Sequence, residues 1–209
     1  KHVVMVHAAD LMEYEKRLMA EGCKLICGVD EVGRGPLAGP VTCAAVIMPL
    51  DDLIEGVNDS KKVAKKKRER LAEEIKSKAI AYSVVSYDNG KIDEMNILAA
   101  TKACMAEAVG SLAVTPDVVI VDALKLDIPV RTFGIVHGDA QSYSIAAASI
   151  LAKVERDAFM REMDERYPGY GFSRNVGYGT AEHIAALKEL GATPIHRRTF
   201  IGHFVDCDE

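Results

Sequence analysis

No stretch of this 209-residue chain approaches the roughly 18 consecutive apolar residues that a membrane helix needs, and its N-terminus lacks a secretory signal pattern. A soluble, cytoplasmic protein is expected. The five cysteines, Cys23, Cys27, Cys43, Cys104 and Cys207, are odd in number and include no Cys-x-x-Cys pair, which argues against a disulfide framework and a structural zinc alike. They read as buried thiols. No internal repeat is evident, nothing suggests disorder on a large scale, and the chain opens on Lys1 rather than a methionine. With 49% hydrophobic and 27% charged residues, it can bury one sizeable core.

Positive charge is outnumbered, with 26 Lys and Arg against 31 Asp and Glu. A net charge of -5 ordinarily counts against a nucleic-acid partner, because the phosphate backbone is held by Lys and Arg. Distribution qualifies the total: residues 61–70 read Lys-Lys-Val-Ala-Lys-Lys-Lys-Arg-Glu-Arg. Taken alone, such a run is a solvated helix face.

The spacing predicts a helix over Ala8–Glu21, with Asp10 and Glu13 as a capping pair and Gly22 as its stop. Strands follow over 24–30 and 41–48, the second ended by Pro49. A basic helix is expected over 65–79, striped by Leu71, Ile75 and Ala79. Strands over 80–87, 118–121 and 130–136 and helices over 91–109, 144–165 and 181–190 complete the pattern. The fold class is α/β, with a five-stranded mixed sheet flanked by helices and a small C-terminal helical extension. The expected division is an N-terminal helix over 1–21, a catalytic core over 22–165 and an extension over 166–209. The acidic C-terminus, Asp-Cys-Asp-Glu, is expected to fray.

Residues 28–40 concentrate the chemistry. Gly-Val-Asp-Glu-Val-Gly-Arg-Gly-Pro-Leu-Ala-Gly-Pro sets two adjacent carboxylates, Asp30 and Glu31, between an apolar strand and a turn rich in glycine. Neighbours on a strand point to opposite faces, so the two serve one site only near a strand end or a bulge. Gly33, Gly35 and Gly39 let the main chain approach a ligand closely. Asp122 follows the apolar run 118–121 at the carboxyl end of its strand, and Asp139 precedes the small-residue helix. Singly, these are a solvated acid pair, a turn start and a helix cap. Together, four converging carboxylates repel one another unless cations join them. Oxygen ligands without imidazole or thiolate suit Mg²⁺ or Mn²⁺ rather than zinc.

The segment 28–40 resembles the first signature of the ribonuclease HII family, the type 2 ribonucleases H. Other motifs resemble the bacterial pattern of that family: Asn58-Asp59-Ser60-Lys61-Lys62, the helix Ser144–Val154 with Arg156-Asp157, Gly177-Tyr178-Gly179-Thr180 with Glu182-His183, and His196-Arg197-Arg198. The resemblance spans about residues 22 to 200. Val63-Ala64, where a leucine and a serine are usual, and Thr199, where serine is usual, depart from it mildly.

The resemblance implies an RNase H-like fold that cuts the RNA strand of RNA–DNA hybrids and the 5′ side of single ribonucleotides embedded in duplex DNA. Asp30, Glu31, Asp122 and Asp139 match the family's metal-binding and catalytic acids, which hold two divalent ions about 4 Å apart. Gly33, Arg34 and Gly35 match the loop that detects the ribose 2′-hydroxyl, the group that separates RNA from DNA. Tyr178 matches the tyrosine that packs on the sugar beyond the junction. Lys61 and Lys62 are expected to contact phosphates, with Lys153 reaching the scissile region and Arg197 and Arg198 as weaker candidates. Asp157 is expected to pair with Lys153 one helical turn away. His137 and His183 read as packed or capping side chains and stay outside the catalytic set. A monomer acting on nucleic acid, without a membrane and with no legible protein-binding motif, is expected.

Two rivals remain open at this level. One is another nuclease of the same fold, a ribonuclease HIII or a junction resolvase. The other is a silent hybrid-binding module whose acids hold a structural ion.

Overall fold

The computed structural model describes residues 6–206. Residues 207–209, and with them Cys207 and most of the expected frayed end, lie outside the described residues. Five strands, β1 (Ile26–Val32), β2 (Val41–Ile47), β3 (Ala81–Tyr87), β4 (Val118–Asp122) and β5 (Thr132–Ile135), form one sheet in the order β3-β2-β1-β4-β5. The first three run antiparallel, whereas β4 and β5 run parallel to β1. The sheet is therefore mixed, as the pattern predicts.

Eight α-helices surround it among the described residues: α1 (Glu13–Ala20), α2 (Lys65–Lys78), α3 (Asn89–Met95), α4 (Ile97–Gly110), α5 (Tyr143–Arg166), α6 (Phe172–Asn175), α7 (Ala181–Leu190) and α8 (Arg198–Ile201). Strand alternation assigns the two faces. Ala44 and Val46 of β2 join Leu71 and Ile75 of α2 and Ala147 and Leu151 of α5 in one buried cluster. Cys43, Ala45 and Ile47, with Cys27 and Val29 of β1, turn the other way onto Cys104, Met105 and Ala108 of α4. Both faces of β1 and β4 are covered, so these strands read as continuous apolar runs.

The approach of α5 to β1 is unusually close. A Cβ at Gly28 would stand 2.2 Å from the main-chain carbon of Ser144, so only glycine admits the helix there. The last helices cover the carboxyl half of α5, where Ala38, Met160, Tyr170 and Phe172 form a separate core.

Two expected elements differ. The N-terminal helix is a 3-10 turn over Ala8–Leu11 followed by α1. Asp10 does not pair with Glu13; it accepts the main-chain N–H of His7 at 2.9 Å, while Glu13 holds Arg17 at 2.5 Å. The single helix expected over 91–109 is broken at Asn96, which stands at φ 71° and caps α4 by accepting the Ala99 N–H at 3.0 Å. Apolar spacing runs through that break because both halves bury the same side. The short helices α6 and α8 carry no periodic signal and were not expected.

Candidate active site

Asp30, Asp122 and Asp139 converge at the carboxyl ends of β1 and β4 and the turn before α5. Each offers a carboxylate oxygen within 4.8 Å of the others. Strand geometry explains why the first two meet: β1 and β4 are parallel, with Val29 in register with Val121, so the next residues emerge side by side. The third is set by a 3-10 turn over Gly138–Ala140, whose Gly138 N–H donates to Asp122 Oδ1 at 2.7 Å. Asp30 is buried, and its carboxyl is held well above the usual range by desolvation, then by the charges of Glu31 and Asp122. Asp139 is raised by desolvation, then by Asp59 and Asp122.

Glu31 behaves differently from the three aspartates. β1 stays regular to its end, with Asp30, Glu31 and Val32 opposite Ala44, Cys43 and Thr42 and no bulge. Asp30 thus shares the α5 face with Gly28, while Glu31 turns to the α4 side and reaches the cleft around the strand's end. It lines the same cleft, of about 310 Å³, but stands outside the three-aspartate group. Its Oε1 lies 3.8 Å from Arg34 Nη1. Burial raises its pKa, against the pull of Asp30's hydrogen bond and the Arg34 charge.

The turn after β1 is built from behind by two arginines whose motifs stand out in the sequence but whose role in the turn does not. Arg156 and Arg197 are both fully buried. Arg156 donates from Nε to Pro40 O (2.8 Å), from Nη1 to Val176 O (2.6 Å) and from Nη2 to Ala38 O (3.1 Å). Arg197 donates from Nε to Gly39 O (3.0 Å), from Nη1 to Arg34 O (2.8 Å) and from Nη2 to Gly33 O (2.5 Å). Desolvation lowers their pKa values to about 10 and about 9, and the nearby Arg156 charge adds to the shift at Arg197. Both remain cations at neutral pH. Because a trans peptide sets its N–H opposite its C=O, carbonyls of Gly33 and Arg34 aimed at Arg197 turn the amides of Arg34 and Gly35 away from it. Gly33 makes the turn possible at φ 90°; a Cβ there would meet Arg156 Nε at 2.2 Å.

Tyr178 faces this turn, with its ring 3.4 Å from the place a Cβ on Gly35 would occupy, and it lines the acid cleft. Its carbonyl is fixed by a histidine pair. Thr193 N–H donates to His196 Nδ1 (2.9 Å), so neutral His196 carries its proton on Nε2 and donates it to His183 Nε2 (2.9 Å). His183 Nδ1–H in turn donates to Tyr178 O at 2.8 Å. Burial, then His183, pushes His196 down to about 4, and burial also lowers His183. His183 is thus a packed side chain, as its sequence context suggests.

The basic candidates separate. Lys61 lines the cleft with its Nζ 3.6 Å from Asp139, and Lys153 lines it while holding Asp157 at 2.7 Å. Lys62 is exposed and away from the cleft lining. Arg197 is enclosed behind the glycine turn and offers nothing to a phosphate, which removes it from the phosphate-binding candidates. Asp59 is a buried acid whose charge and hydrogen bond act on Asp139. It belongs to the Asn58-Asp59-Ser60-Lys61-Lys62 motif, but nothing in its spacing marks it as a partner of the acids. Hard oxygen donors, in a cleft lined by no histidine or cysteine among the described residues, fit Mg²⁺ or Mn²⁺. Deprotonated carboxylates packed this closely need such a charge between them.

The family model described as ribonuclease HII matches residues 27–203. A ribonuclease HII from Acetivibrio thermocellus is 55% identical over 193 residues, covering 92% of this chain and 75% of its own. Among solved structures, the ribonuclease H2 of Pyrococcus horikoshii superposes with a TM-score of 0.70 at 28% identity, over 84% of this chain and 93% of its own. The ribonuclease HII of Archaeoglobus fulgidus, solved in a complex with PCNA, gives 0.71 at 29% identity, over 85% of this chain and 94% of its own.

Proposed function

Because the chain belongs to the ribonuclease HII family, and so is an endoribonuclease of RNA–DNA hybrids with an RNase H-like fold, we propose that it also cuts 5′ of single ribonucleotides embedded in duplex DNA, leaving 3′-hydroxyl and 5′-phosphate ends. The observation that carries this reading is the adjacency of the three-aspartate cluster to a turn whose Arg34 and Gly35 amides face away from Arg197.

Asp30, Asp122 and Asp139, with Glu31 at the rim, would hold two divalent ions, Mg²⁺ or Mn²⁺. When bound, the ions would supply an activated water and neutralise charge on the leaving oxygen. The remaining work belongs to the chain. Glycine-exposed amides of the 33–35 turn donate to a 2′-hydroxyl, a hydrogen bond that deoxyribose cannot make. Arg34, now turned toward Glu31, holds the neighbouring phosphate. Tyr178 packs on the sugar beyond the junction, its distance from the turn fixed by Gly35. Lys61 and Lys153 face the phosphate at the cut, and exposed Lys62 meets the duplex further out. The same reading sets the enzyme in the cytoplasm as a monomer that removes ribonucleotides and RNA primers from DNA. Among the described residues no helix is long and apolar enough to cross a membrane.

The test is an end-labelled duplex carrying one ribonucleotide, incubated with Mn²⁺ or Mg²⁺ against a chelator. Cleavage on the 5′ side of the ribonucleotide, dependent on the ion, is expected. Asp30→Asn should lower turnover at least about 100-fold, since metal ions at such sites supply several kcal/mol, while hybrid binding persists. Near-normal turnover by this variant would sink the assignment.

A further inference from the structure

Helix α1 precedes the stretch that the family model matches, yet it carries a fully buried carboxylate, Glu15. Buried charge is costly unless a partner claims it. Here the partner is the first turn of α5. Glu15 Oε1 accepts from Ser142 Oγ at 2.6 Å and from Ser144 N at 3.0 Å. A negative group at a helix N-terminus meets unsatisfied amides and the positive end of the helix dipole.

The network continues toward the acids. Ser142 Oγ accepts the Ile145 N–H at 3.2 Å, so the hydroxyl bonds Glu15 and the helix at once. The Ser142 N–H donates to Gly138 O at 2.7 Å, and the Gly138 N–H donates to Asp122 Oδ1 at 2.7 Å. Asp139 is the next residue. A second strap runs beside it: Tyr14 OH reaches Gln141 Oε1 at 3.5 Å, and Gln141 Nε2 donates to Val136 O at 2.6 Å. The turn that presents Asp139 and orients Asp122 is thus tied from outside the catalytic sheet by α1.

We propose that Glu15 is a positioning residue for the metal-binding acids, acting through Ser142 and the Gly138 turn to fix Asp122 and Asp139 in the geometry that receives divalent ions. The proposal rests on the reading of Asp30, Asp122 and Asp139 as metal ligands. A role confined to docking α1 would place the buried carboxylate where it touches only the helix. Instead, it holds the hydroxyl of Ser142, the residue whose main-chain N–H bonds the turn whose amide orients a ligand.

The experiment is a Mn²⁺ titration of the intact protein by calorimetry, without substrate, beside a thermal melt in chelator. Outer partners of metal ligands typically govern about 10- to 100-fold in affinity. Glu15→Ala is expected to weaken Mn²⁺ binding about 10-fold. Glu15→Gln keeps the acceptor oxygen and should stay within about threefold, by the same scale. Ser142→Ala removes the hydroxyl by which Glu15 holds the residue next to the turn, while sparing the Glu15 bond to Ser144 and the main-chain bond to Gly138, and should weaken binding by several-fold; it carries the test alone if Glu15→Ala does not fold. Folded variants that melt lower but bind Mn²⁺ as the wild type does would overturn the proposal. Wild-type protein that takes up no Mn²⁺ would overturn the metal reading and this proposal with it, so the two failures are told apart.

Discussion

Arg197 spends its guanidinium on three main-chain carbonyls of the glycine turn rather than on a carboxylate. A lysine cannot satisfy all three, and each buried carbonyl left without a donor costs about 1–3 kcal/mol. Arg197→Lys should therefore lower the melting temperature by roughly 5–10 °C and also weaken the preference for ribose over deoxyribose at the cut. Arg34→Ala, altering a half-buried side chain of the same turn, should weaken that preference with the melting point nearly unchanged. Equal loss of stability in both would leave the turn as scaffold alone. The histidine pair gives a pH dependence of definite sign. His183 and His196 are held neutral in the folded state, with pKa values below their ordinary value near 6.5, so the unfolded chain binds more protons as pH falls from about 7 to about 4. Stability is full above that window and falls through it, by at most about 1.4 kcal/mol per pH unit for each group. Urea midpoints at pH 7.5 and 5 should show the loss, and His196→Gln should reduce it. Single residues are the least legible scale in the sequence. Asp30, Asp122 and Asp139 stand at strand and helix ends, where position alone marks them. Glu15, Arg156 and Arg197 sit within helical or loop sequence, and burial of a charge leaves no periodic trace.

At the scale of elements, the seam between β1 and α5 is decisive, because it sets Asp30 against the turn that carries Asp139. Gly28→Ala would drive a methyl into the Ser144 main chain. A loss of about 3 kcal/mol or more is expected, at the upper end for overpacked sites, because backbone cannot rotate away as a side chain can. A denaturant midpoint within error of wild type would mean that α5 shifts freely. Strands and long helices were legible from alternation and helical spacing, and the strand ends fell within about two residues. The break at Asn96 was not, since an asparagine capping one helix after another looks like a tolerated polar residue in one long stripe. The regular end of β1 likewise decided what the sequence left open: no bulge brings Glu31 into the aspartate group.

For the whole molecule, charge distribution outweighs its sum. The protein carries -5 overall, yet Lys61 and the exposed lysines at the start of α2, Lys65, Lys66 and Lys67, gather on the side of the sheet that α5 covers. Hybrid binding should weaken with salt, and Lys61→Ala should reduce the slope of log K against log salt by about one phosphate's worth, 0.7–0.9. An unchanged slope would remove Lys61 from the phosphate contacts.

The parallel pairing of β1 with β4 has a consequence in time as well as in space. The β1-β2 hairpin can zip through the short turn at 33–40, and β3 joins it across the 48–80 connection that carries α2, whereas β4 joins β1 only after the chain between residues 32 and 118 has closed, a late event for a pairing of such long range. Asp30 is made in the early hairpin, but Asp122 and Asp139 arrive with the late strand. During refolding, affinity for a divalent ion should thus appear only when the last strand docks, so that the ion serves as a clock for the completion of the sheet.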